Sequence, residues 1–236
     1  MTALVLMRLA GFLRSGRALA PIIAALVVLG IVHGGGRSPA APAYGYSAVM
    51  LFPVLALQAK LVLDAEPDVQ RRLARLAVGP RREAIAGLLA ATVLGAVFCA
   101  VAMVAPWWPF HAIRGPLPGS AEPSTAAGVV LGVLAHLLAL PAAVALGALA
   151  SRAVTRTVRN GVTVLVAGAV LVVVLGLSGS VAPWLVPPVM ATARALAGDD
   201  PPLVPSGATL LLLTGWATAW CAVALAGYAR LRRSRS

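Results

Sequence analysis

The sequence predicts an all-α integral membrane protein with six transmembrane helices and both termini in the cytoplasm. Three observations lead there. Of the 236 residues, 60% are hydrophobic and only 11% are charged, against about 25% charged in an ordinary soluble domain. The apolar residues form runs too long and too uniform for strands or for one face of a soluble helix. Lipid accommodates such runs, because a helix satisfies its own backbone polar groups and can be apolar all round. Finally, the 19 basic residues fall between the runs in a consistent order. With the N-terminus inside, every one except Arg37, Arg114 and Arg194 lies on the inner side, as the positive-inside rule requires. One span more or fewer would put a basic cluster outside.

The elements follow in order. Residues 1–17 mix apolar side chains with Arg8, Arg14 and Arg17, and read as an amphipathic helix on the cytoplasmic membrane surface. The first span covers about 18–33, which is short for a core roughly 30 Å thick and needs its flanks. A rival reading of this beginning is a cleavable leader ending near Ala41-Pro42-Ala43. The second span, 43–63, carries Pro53 near its middle, a kink position, and Lys60 near its inner end, where the stem can reach water. The third span, 84–105, ends at the interfacial anchor Pro106-Trp107-Trp108-Pro109-Phe110. The fourth, 125–150, contains His136, Pro141 and the close-packing pattern Gly128-x-x-x-Gly132. The fifth is 161–177 and the sixth 206–228. An outer segment, 178–205, separates those two, and a basic cytoplasmic tail, 229–236, closes the chain.

The net charge of +12 would suggest nucleic acid in a soluble protein, but here the arginines orient the chain, so no nucleic-acid partner is expected. Cys99 and Cys221 both fall within apolar runs and read as small core residues, not as a disulfide or metal pair. No metal site is expected.

The inner segment between spans two and three, residues 66–78, is written as a small helix of its own. Pro67 suits a first turn, Glu66 and Asp68 sit at the positive end of its dipole, and Gly79-Pro80 stops it. Val69, Leu73 and Leu76 share one face; Asp68, Arg71, Arg72 and Arg75 share the other. Two readings stand: a helix resting on anionic headgroups, or a helix that docks in the groove of a cytoplasmic partner.

This layout resembles the membrane-spanning permease subunits of ATP-binding-cassette exporters, of the type-2 family that moves drugs, antibiotics and polymers outward. The resemblance rests on residues 1–17 as a surface helix, on 66–78 between spans two and three, and on 178–205 between spans five and six. Within the last, Pro187-Pro188, the run from Val189 to Ala197 and Gly198 read as a short helix. The resemblance implies a coupling helix at 66–78, with Asp68, Val69, Arg72, Leu73 and Leu76 as its docking residues. It implies a plasma-membrane location and two partners besides lipid: a separate ATPase subunit and a second permease chain, identical or related. Spans would tilt about Pro53 and Pro141. ATP and Mg would be bound by the ATPase, and this chain would hold no cofactor and perform no chemistry. A phosphate-binding loop needs Gly-x-x-x-x-Gly-Lys-[Ser/Thr], whereas the single lysine, Lys60, lies in Leu-Gln-Ala-Lys-Leu.

Two alternatives have their own residues. Gly176-Leu177-Ser178-Gly179 resembles the nucleophile motif of intramembrane serine proteases, but such a serine needs a histidine base on a later span, and no histidine follows His136. A non-transport scaffold whose basic loops bind lipid or a cytoplasmic regulator is the other. His136 itself is either a pathway residue or a polar link between helices.

Overall fold

The computed structural model describes residues 1–198 and 204–234, with the side chain of Asp68 outside that description. The described residues are helical almost throughout. Helix α1 (Thr2–Arg14) is followed by α2 (Leu19–His33), α3 (Ala40–Leu63), α4 (Asp68–Val78), α5 (Pro80–Val104) and α6 (Thr125–Leu149). Then come α7 (Arg152–Thr155), α8 (Val158–Gly176), a 3-10 turn at Pro183–Leu185, α9 (Val189–Ala197) and α10 (Gly207–Arg233). Among the described residues, five helices are long and apolar enough to cross a membrane, and a sixth span arises if α1 and α2, bent by 79°, count as one.

Local chemistry sets the boundaries. The side chains of Ser124, Thr157 and Ser206 accept backbone N–H groups from Ala127, Asn160 and Thr209, capping α6, α8 and α10. Proline opens α5, where its missing donor costs nothing. Gly198 closes α9 in the left-handed conformation.

Helix α3 is the axis of the bundle, packed on α2, α5, α6 and α9. Its tightest partner is α6, because glycines and alanines line the seam. A Cβ on Gly132 would lie 2.5 Å from the Tyr44 ring, and one on Gly147 would lie 2.5 Å from the Ala56 carbonyl oxygen. Without driving force from water inside a bilayer, such close approach is what holds spans together. Pro53 and Pro141 sit inside α3 and α6, and both helices continue through them. Helices α8 and α10 lie at the periphery and leave Val166, Leu211, Leu212 and Val223 exposed. At one end of the bundle Ser38 bridges to Ile113, joining the loops after α2 and α5. There Arg114 also clamps Glu122 through two bonds of 2.7 and 2.8 Å.

Several boundaries differ from those expected. Helix α5 begins at Pro80 and not near residue 84, so Gly79 alone separates it from α4. Gly79 has φ 85°, a conformation that side chains resist. Helix α10 runs on to Arg233, so most of the basic tail is helix; arginine is a good helix former, and Arg232 is held from the bundle side. Lys60 is buried and bonds Asp64 at 2.7 Å instead of reaching water. Helix α1 is more than a surface element, since Phe12 and Arg8 are buried against the bundle. Residues 199–203 of the outer segment and Arg235 and Ser236 of the tail lie outside the described residues.

Candidate functional site

The end of the bundle opposite the Arg114 loop carries the densest polar chemistry. Three carboxylates meet there. Asp64 follows the last turn of α3, Glu66 lies in the connector to α4, and Glu83 sits in the first turn of α5. All three are buried, and burial of a carboxylate is tolerable only with opposite charge and hydrogen bonds around it. Arg8 of α1 grips Glu66 through Nε and Nη2 at 2.9 and 2.6 Å and reaches Glu83 at 2.5 Å. Arg232 of α10 donates to the same Glu83 and, at 2.8 Å, to the Tyr228 hydroxyl. Arg75 of α4 approaches Glu83 at 3.4 Å. Asp64 holds Lys60 at 2.7 Å and the backbone N–H of Arg152 at 2.8 Å, and its carbonyl accepts from Arg17 and Arg152. Two polar clusters therefore tie this end together: Arg8, Glu66, Arg75, Glu83 and Arg232 knot α1, α4, α5 and α10, and Lys60, Asp64 and Arg152 join α3 to α7.

Helix α4 is attached to this knot by its charged side. Arg71 donates to the Leu63 carbonyl at 3.2 Å and Arg75 faces Glu83. The opposite face is apolar and unpartnered: Val69 is 69% exposed, Leu73 60% and Leu76 85%. Val69, Leu73 and Leu76 thus form one outward stripe, bordered by the exposed Arg72. Of the three arginines expected on the polar face, Arg71 and Arg75 turn inward and Arg72 does not. Asp68 begins the helix, but its side chain lies outside the described residues.

His136 occupies a different place, in the α3–α6 seam. Its Nδ1 lies 2.8 Å from the Gly132 carbonyl oxygen and its Nε2 lies 3.1 Å from Ser47 Oγ. A carbonyl can only accept, so Nδ1 carries a proton, while Nε2 and the Ser47 hydroxyl share a hydrogen bond across the seam. This geometry makes His136 a link between two spans. The structure pairs it with Ser47 and leaves Ser178 exposed beyond the end of α8. Nearby, Tyr44 donates to the Met103 carbonyl at 2.8 Å and accepts from Trp107 Nε1 at 2.7 Å, which ties the aromatic anchor to α3.

The knot was not visible as a unit in the sequence. Arg8, Arg75 and Arg232 are separated from their acids by up to 149 positions. The available signal was Glu83, a lone carboxylate at the head of the third apolar run. Among the described residues, no group of three or more His, Cys, Asp or Glu side chains converges as a metal site.

Helix length and hydropathy define the class: a multi-pass helical membrane protein. No protein-family model, no curated protein and no solved structure matches the chain.

Proposed function

We propose that the chain is the permease subunit of an ATP-binding-cassette exporter, forming an export pathway with a second permease chain and driven by a separate ATPase. The observation that carries this reading is helix α4. Its apolar stripe faces away from the bundle and is exposed among the described residues, while its charged face is fastened to Glu83 and Leu63. A helix held this way can receive force on one side and pass it on from the other. Gly79 is the whole connection to α5, so displacement of α4 reaches that span over one residue. The arginine-rich end would face the cytoplasm, where the ATPase resides. ATP-driven closure of the ATPase pair would push α4, and the spans would shift between two arrangements. Pro53 and Pro141 suit the bending points, since each lacks the N–H that would bond the preceding turn.

The same stripe also fits a helix lying on headgroups, under which the chain is a scaffold without a motor. Substituting Leu73→Asp and Leu76→Asp separates the two. The exporter reading requires that the double variant lose the ATPase on co-purification from detergent while folding normally. Undiminished recovery of the ATPase would sink it.

A further inference from the structure

A groove of about 460 Å³ opens between α5 and α10 at the arginine-rich end. Its walls are apolar, formed by Ala84, Ile85 and Leu88 on one side and Leu225 and Ala229 on the other. Its rim is cationic, carrying Arg75, Arg81, Arg232 and Arg233. We propose that this groove binds one anionic phospholipid from the adjacent leaflet, with its phosphate against Arg81 and Arg233 and its upper acyl chain along Ile85, Leu88 and Leu225.

Three features carry the assignment. The first is depth. Arg81, Ile85 and Leu88 occupy one face of α5, and seven residues of helix span about 10 Å. Arg232 and Arg233 stand at the corresponding end of α10, with Leu225 about two turns away along the helix. Charge thus sits at headgroup level and apolar wall at acyl level, the division an amphiphile requires. The second is charge. Glu83, beside this rim, is already shared by Arg8, Arg75 and Arg232, and Arg8 also holds Glu66. Arg81 adds a charge at the rim that an anionic ligand would balance. Arg81 is exposed and has no ion pair among the described residues. The third is size. The volume matches a phosphate, a glycerol and the first part of one chain, within the range of about 300–1,000 Å³ usual for ligand sites; the rest of the lipid stays in the bilayer. The proposal does not depend on the exporter reading.

The test uses the full chain purified in mild detergent and titrated with phosphatidylglycerol or phosphatidylcholine, with bound lipid read by native mass spectrometry. The wild type should retain one phosphatidylglycerol about tenfold more tightly than phosphatidylcholine. The variant Arg81→Ala/Arg233→Ala should lose about tenfold in phosphatidylglycerol affinity. The variant Arg14→Ala/Arg159→Ala, which removes two exposed arginines elsewhere at the same end, should stay within about twofold. Ala84→Trp, which fills the groove, should abolish the adduct. Glycerol phosphate, which has the headgroup chemistry but no chain, should not compete. Equal retention of both lipids by the wild type would overturn the proposal, and so would equal losses in the two arginine variants. So would a dimer cross-linked through position 81 in place of the lipid adduct, because the groove's occupant would then be a second copy.

Discussion

Replacing Glu83 with Gln removes the carboxylate that Arg8, Arg75 and Arg232 share, and the consequence can be sized from their surroundings. Glu83 is only 2% exposed, and the bonds from Arg8 and Arg232 are made in a buried setting. Breaking a buried ion pair by removing one partner costs about 3–5 kcal/mol, because the remaining charge is left uncompensated. Here the loss is cushioned. Arg8 keeps both bonds to Glu66, and Arg232 keeps the Tyr228 hydroxyl. The expected cost is therefore at the low end, about 3 kcal/mol, or roughly a hundredfold in the folded-to-unfolded ratio. Reversible unfolding in mixed micelles, followed by fluorescence of the five tryptophans, would measure it. The decisive comparison adds Arg232→Met. If Glu83 and Arg232 are energetically joined, the double variant is less destabilised than the sum of the singles by about 1 kcal/mol or more. Additivity within about 0.5 kcal/mol would refute the claim that the carboxylate stabilises the bundle through that arginine.

Other consequences are independent of that knot. Gly147→Ala should cost about 1–3 kcal/mol, since the new methyl meets the Ala56 backbone and not a movable side chain, whereas Gly215→Ala, in open space on α10, should be neutral or stabilising; equal effects would show that the α3–α6 seam is not tight. His136→Leu should cost no more than about 1.7 kcal/mol, the upper range for a bond between spans; under the proposed exporter reading it should also leave transport intact, and loss of transport in a well-folded variant would assign His136 to the pathway. The Arg114 loop should be acid-sensitive: Arg114 and the Leu117 N–H hold the Glu122 carboxyl down at about 2, below its ordinary 4.5. A depressed folded value means the contribution is complete above about 4.5 and is lost as pH falls toward about 2. Hydrogen exchange of residues 114–122, corrected for intrinsic rates, should therefore be flat from neutral pH to about 4.5 and lose protection below it.

Much of the bundle was legible because lipid imposes one simple demand, a long apolar helix, and the runs from Ala43, Ala84, Thr125, Gly161 and Ser206 meet it. Gly128 and Gly132 were readable as a packing face, and the structure places Ala40, Ala41 and Tyr44 against them. Helix α4 was readable because Pro67 and Gly79-Pro80 bracket it. The charged end was not legible in the same way. An arginine near a span reads as a headgroup seeker, and nothing local distinguishes Arg72, which is exposed, from Arg8 or Arg232, which are buried against acids far away in sequence. Long-range ion pairing depends on how helices are arranged, and helical periodicity does not encode it. The full length of helix α10 was hidden for the same reason: apolar character stops near Tyr228, but Glu83 gives Arg232 a reason to remain in register.

The central claim is that α4 meets a soluble motor on the side where the arginines gather. The substitution Leu76→Cys, in a chain with Cys99 and Cys221 replaced by alanine, tests it with a membrane-impermeant maleimide. The account predicts no labelling in intact cells, strong labelling in inverted vesicles, and protection there when the ATPase is bound. Labelling at position 76 from outside intact cells would contradict it.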